Sequence, residues 1–374
     1  MGALSLALAA LESSTEAQPA DTGQFIFRFD TFGDEQLWTD VLRIHEVIQS
    51  SMSPATALAV GLKVDSMALP PDFLATHSLA DPATTVELIR LNAVVGLVGT
   101  VRGHTLKSVG ITCAICHSTV DDSVAPGVGK RLDGWPNRDL NPGAIIALSP
   151  AVNDEQKAVY NSWGPGFYDA RFNIDGINDP ALIPPAFGLQ GVGFETYTGD
   201  GPISYWNNYV AVTQMGGHGS FCDPRINVCV TQEPDLVTPK LPALLEYQLG
   251  LLTPPAPAGS FDPAAARRGE AIFKGKAGCD GCHIPPTFTD VRSGPDPDTP
   301  LLHAPDEVGM DPQYALRSAT KLYRTTPLRA LWQHPPYFHD GSAATLADVV
   351  KGLCRKPHQM PVASSTAASR QIEM

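Results

Sequence analysis

Two short stretches constrain this chain more than anything else in it. "ITCAICHSTV", residues 111–120, carries Cys113, Cys116 and His117, and "AGCDGCHIPP", residues 277–286, carries Cys279, Cys282 and His283. Together they hold four of the seven cysteines in 374 residues. Each repeats Cys-x-x-Cys-His. Each must therefore fold as a turn that presents two sulfurs side by side, with an imidazole next to them.

That requirement points to a cofactor. Cys-x-x-Cys-His is the attachment signature of c-type haem. Each thiol adds to one vinyl group of the porphyrin, and two intervening residues let one helical turn reach both vinyls. The His that follows then faces the iron as its proximal ligand. Two Cys-x-x-Cys pairs also suit a zinc site, but zinc leaves the His after each pair unexplained. A thioredoxin-like redox pair should end a strand in a βαβ unit, and no such unit is legible. The sequence thus predicts two covalently bound haems: Cys113, Cys116, Cys279 and Cys282 attach the cofactors, and His117 and His283 bind the irons.

Composition narrows the setting. Hydrophobic residues make up 43% and charged residues 17%, so the chain can bury sizeable cores. The 33 Gly and 34 Pro predict many turns and long ordered loops. A net charge of -13 disfavours nucleic acid and anionic lipid, and favours a neutral or basic partner. No stretch approaches the ~18 apolar residues of a membrane span. The apolar run Ala3–Leu11 resembles the end of an export signal without its basic start; a flexible tail is the other reading. Covalent haem implies a periplasmic or otherwise exported location. There Cys222 and Cys229, flanking "DPRINV", can close a small disulfide loop; two unrelated buried thiols are the alternative.

The expected fold is mainly α: two tandem cytochrome c-like domains with long loops and a helical insertion in the first. Residues 1–22 read as the signal-like or flexible start, 23–252 as the first domain, 253–263 as a Pro-rich linker, 264–356 as the second domain, and 357–374 as a disordered tail. "DEQLWTDVLRIHEVIQ" spaces Leu37, Val41, Ile44 and Ile48 for one helix. "DPATTVELIRLNAVVGLV" opens with an Asp81–Pro82 cap, and "LPALLEYQLGLL" makes another helix. Residues 121–240 read as loops. Gly23 and Phe27 in "GQFIF" match Gly269 and Phe273 in "GEAIF", a faint internal repeat.

"TTPLRALWQHPPYFHDGSAATLADVV", residues 325–350, resembles the C-terminal region of the bacterial di-haem cytochrome c peroxidase and methylamine-utilisation maturase superfamily. In the first domain the resemblance rests on "ITCAICHS" and "IPPAFGL…YTGDGPISYWNNYVAVTQMGG". It is nearest to an uncharacterised branch of that superfamily. The resemblance implies one haem that relays electrons and one that meets the oxidant, and it alone implies a calcium ion. It implies a Glu-Met pair near the reactive haem, where this chain has Gln214-Met215, and Gln cannot take a proton as a carboxylate can. It also sets Leu353 where the peroxidases place a distal Met, with Met360 the nearest substitute.

Met215, His218, His339 and Met360 are the candidate distal ligands. Trp135, Trp163 and Trp206 are candidate haem-edge or inter-haem aromatics, or plain core. The functional expectation is a periplasmic di-haem electron-transfer protein acting as a haem oxidoreductase. A peroxidase reducing hydrogen peroxide and a pure electron carrier are the alternatives. The expected partners are a small electron-donor or acceptor protein and peroxide or a small organic substrate. No catalytic residue beyond the haem ligands is assigned.

Overall fold

The computed structural model describes residues 22–355, apart from 293, 295 and 297. The signal-like run and the tail from Pro357, with Met360, lie outside those residues, as do the side chains of Leu353 and Cys354.

The first helix, Gly23–Phe29, starts where the Thr22 hydroxyl accepts the Phe25 N–H at 3.3 Å. It crosses the helix Leu241–Gly250 at Gly23, where a Cβ would run into the Ala243 carbonyl, so only glycine permits the approach. Phe27 is fully buried, its ring 5.6 Å from that of Tyr247. Most of the buried apolar side chains gather around this crossing and the segment 32–145.

The single helix expected over 34–49 is instead two. A π-helical turn, Gln36–Val41, is followed by an α-helix, Ile44–Ser51, with Arg43 between them at φ 57°. The wide turn lets two consecutive residues face inward. Trp38 donates its indole N–H to the Met215 carbonyl at 2.9 Å, while the Thr39 hydroxyl bonds both backbone groups of Val109 at 2.9 and 2.8 Å. The Asp81–Pro82 start holds, with the Asp81 carboxylate accepting from Ala83 at 2.9 Å, but the helix stops at Arg90.

The chain then forms a hairpin, Leu97–Arg102 with Thr105–Ile111, turning through Gly103 at φ 60°. This hairpin delivers the first Cys/His motif. The Asp34 carboxyl accepts the Ile111 N–H at its end, and burial pushes that carboxyl up to about 9, so it is protonated at neutral pH.

Five two-stranded sheets occur among the described residues, so the fold is mixed rather than mainly α. Two of them lie wholly in the stretch read as loops, Phe167–Tyr168 with Ala181–Leu182 and Phe221–Asp223 with Val228–Val230, and a third, Ser118–Val120 with Arg131–Asp133, has one strand in it. Strands of two or three residues are too short to print an alternation in the sequence. The last pair aligns Cys222 with Cys229, Cα atoms 4.0 Å apart, and they form a disulfide.

Beyond residue 262 the packing thins. The helix Pro263–Lys274 buries no residue, and its Ile272 is 55% exposed. A small core of Tyr314, Ala315 and Tyr323 instead packs on Ala181 and Tyr197 of the earlier chain. No helix among the described residues is long and apolar enough to cross a membrane.

Candidate functional site

The first motif sits on a one-turn helix, Ala114–His117, capped by Cys113. Gly96, at φ 80°, lies against the backbone of Ile115, where a Cβ would clash. The turn is held from outside as well: Asn137 N–H donates to Cys116 O at 2.9 Å and Gly134 N–H to His117 O at 2.8 Å. His117 Nδ1 lies 3.1 Å from the Pro184 carbonyl. A carbonyl only accepts, so Nδ1 carries the proton and Nε2 keeps its lone pair, the form that binds a metal. Burial lowers the His117 pKa to about 4, which keeps the ring neutral. Burial also pushes the Cys113 and Cys116 thiols up to about 12, so neither is a ready thiolate.

The second motif repeats this logic on a different local frame. Gly278, at φ 59°, leads into a 3-10 turn, Cys279–Gly281, and His283 N–H closes on Cys279 O at 2.9 Å. His283 Nδ1 lies 3.0 Å from the Phe288 carbonyl, so the same tautomer results. Burial lowers this imidazole's pKa too.

Both motifs open into one cavity of about 1240 Å³. That exceeds the ~300–1,000 Å³ of an ordinary small-molecule site. The walls are mostly apolar, with a few polar groups among them. Two sulfur pairs, two imidazoles in ligand form and this volume fit two porphyrins. The four motif thiols do not converge as a zinc tetrad would: among the described residues, the group of Cys, His, Asp and Glu at metal-ligand spacing is Cys282, Asp290 and His303. That set is unsuited to calcium, which takes oxygen ligands.

The candidate distal residues separate. Met215 is buried on the cavity wall, as is Gln214, whose side-chain carbonyl accepts from the Tyr168 hydroxyl at 3.1 Å. His339 is buried on the wall, its Nδ1 without a partner among the described residues and its Nε2 3.4 Å from the Tyr323 hydroxyl. His218 does not line the cavity: Gly216, at φ 84°, turns the chain away, and His218 Nδ1 meets the Pro234 carbonyl at 2.8 Å. Trp163 and Trp206 line the cavity, whereas Trp135 sits behind it, its ring 6.3 Å from Phe187 and 5.7 Å from Trp332. Tyr168, Arg138 and His303 also face the cavity, and no motif or spacing in the sequence marks them.

The carboxylates on the cavity wall are engaged. Asp169 pairs with Arg317, Glu195 with Arg324, and Glu307 with His303. His303 also meets Asp290 at 3.1 Å. That hydrogen bond, working against burial, raises the His303 pKa from 6.5 to about 9. The folded value exceeds the unfolded one, so the stability it contributes is full below 6.5 and lost as pH rises through about 9. Chemical denaturation across that window should show a falling midpoint, and His303→Gln should flatten it. An unaltered slope in the variant would mean His303 is not the titrating group.

No protein-family model matches the chain, and no solved structure matches it. Methylamine utilization protein MauG of Methylorubrum extorquens is 31% identical to it over 270 residues. The match covers 67% of this chain and 66% of that protein, so the chain spans just under two thirds of the relative's length.

Proposed function

We propose that the chain is a member of the di-haem cytochrome c peroxidase and methylamine-utilisation superfamily and, on that premise, an exported di-haem c-type cytochrome that works as an oxidoreductase. One observation carries the reading. Each Cys-x-x-Cys-His motif sets its imidazole Nδ1 against a backbone carbonyl and places the ring on the wall of the shared cavity. The haems supply the redox chemistry; the chain sets their ligation, their solvent access and their potential. Cys113 and Cys116 hold one group with His117 as its ligand, and Cys279 and Cys282 hold the other with His283.

The cavity's polar groups argue against ordinary peroxide cleavage. That reaction wants an unpaired carboxylate to move the peroxide proton. Here Gln214 stands at the matching position, and the wall carboxylates are already ion-paired. A small organic substrate or an electron-exchanging protein suits the site better. The net charge of -13 favours a neutral or basic protein partner. The Trp135 ring, with Phe187 on one side and Trp332 on the other, offers an aromatic path between the two halves. The Cys222–Cys229 disulfide agrees with an oxidising, periplasmic setting.

The test is direct. Protein exported with haem-attachment machinery should keep its haem stain after denaturation and weigh two haems more than the bare chain. Replacing both cysteines of either motif should leave one. Retention of one haem or none by the unaltered protein would sink the reading.

A further inference from the structure

The turn that carries His117 is too short to hold its own shape. It spans Ala114–His117 and closes with His117 N–H on Cys113 O at 3.2 Å. A single turn fixes several dihedrals for one hydrogen bond, which is unfavourable by itself. Its geometry is set from outside, and two side-chain contacts bracket it. Before Cys113, the Thr112 hydroxyl donates to the Arg28 carbonyl at 3.1 Å. After His117, the Ser118 hydroxyl donates to Asp133 Oδ1 at 2.8 Å.

Asp133 is where these supports meet. Its Oδ2 accepts from Arg28 Nε and from the Tyr247 hydroxyl, each at 2.5 Å. Arg28 therefore reaches both ends of the motif, one through its carbonyl and the other through its guanidinium. The strand register sets Ser118 opposite Asp133, and both side chains are buried. Arg28 and Tyr247 stand on the two helices that meet at Gly23, so that crossing is tied to the iron-ligand turn. The second motif is built differently: Ile284, after His283, has an apolar side chain that can neither donate nor accept.

We propose that Asp133 is a positioning residue for His117, acting through Ser118, with Arg28 and Tyr247 fixing the carboxylate from behind. The inference rests on the di-haem reading. A carboxylate–guanidinium hydrogen bond is shorter and stronger than a neutral one, so Asp133 is a firm anchor. Held this way, the His117 imidazole meets the first iron in one orientation. Released, it samples several, and an added ligand finds the binding-competent one only part of the time. Apparent affinity falls by that fraction.

The experiment uses the haem-loaded protein, and the variants that keep one motif identify each haem's signal. Ser118→Ala cuts the link and leaves Arg28 and Tyr247 on Asp133; Asp133→Ala removes the anchor. Each should lower the first haem's affinity for added cyanide by about 10–100-fold, the loss typical when a partner that orients a ligating His is removed. Each should also split that haem's electron paramagnetic resonance signal into more than one set, with the second haem's signal unaltered. Asp133→Asn keeps an acceptor oxygen for Ser118 and should recover most of the affinity. A lower urea midpoint with the first haem's affinity and resonance unchanged means that the network only stabilises the fold, and overturns the proposal. An equal change at both haems overturns it too. If Asp133→Ala fails to accumulate, Ser118→Ala decides, and if the first iron takes no cyanide, the resonance decides. Haem stain on denatured unaltered protein tests the di-haem reading separately.

Discussion

Arg317→Leu is expected to cost about 3–5 kcal/mol of stability, the loss seen when one partner of a buried ion pair is removed and its charge left behind. The Arg317 side chain is 4% exposed and that of Asp169 is 1%. The guanidinium meets both Asp169 oxygens, at 2.9 and 3.2 Å, and both Asp175 oxygens, at 2.8 and 3.0 Å. Asp169 in turn accepts N–H groups from Arg171, Phe172 and Asp179, so it shapes the whole loop beside Tyr168. One arginine from the second half therefore holds a cavity-lining loop of the first.

Arg317→Lys keeps the charge and loses the fork, so it should fall between. Burial works against the Asp175 carboxylate, but the Arg317 hydrogen bond holds it below its usual range. The stability from that pairing is present above the ordinary carboxylate pKa and is lost as pH falls through the depressed one. The Leu variant should lack this acid-side loss. Urea midpoints across pH check both statements. A cost under about 1 kcal/mol, the worth of an exposed pair, would show that the loop holds itself.

What the sequence made legible was local. Asp81–Pro82 predicted a helix start because a cap and its proline act within one turn. Leu241–Gly250 was readable from its apolar residues alone. The disulfide was half readable: two cysteines around a turn allow a bridge, but only the hairpin register brings Cys222 opposite Cys229. Tertiary demands were not legible. The π-helical turn at 36–41 exists because Trp38 must reach Met215 and Thr39 must reach Val109, partners far along the chain. His218 is a candidate distal ligand by sequence, in the same stretch as Met215, yet the chain turns at Gly216, φ 84°, and His218 lies off the cavity wall. Tyr168, His303 and Arg138 come from loops, and loops carry no period. Their role depends on which cavity the fold points them at, and that cavity is assembled from both halves.

Replacing His117 with glycine is expected to abolish binding of added ligands at the reactive iron, while His283→Gly should preserve it. Even partners that only orient a metal ligand cost about 10–100-fold when removed, so losing the ligand itself should exceed that. The assignment follows from the surroundings. The wall beside the first motif carries Met215, Trp163 and the Tyr168–Gln214 hydrogen bond, material that shapes a substrate pocket. The second motif follows a helix that buries nothing and whose Ile272 is 55% exposed, a setting that suits electron exchange with a docked protein. Family order implies the same arrangement, with the reactive haem first. The family resemblance, which sets Leu353 where the peroxidases have a distal Met, makes the second haem the competing candidate. The high-spin signal in the absorption spectrum, and its response to an added iron ligand, separate the two. If the His283 variant keeps that response and the His117 variant loses it, substrate chemistry belongs to the first haem. The reverse pattern would move it to the second and make the enclosed first site the relay.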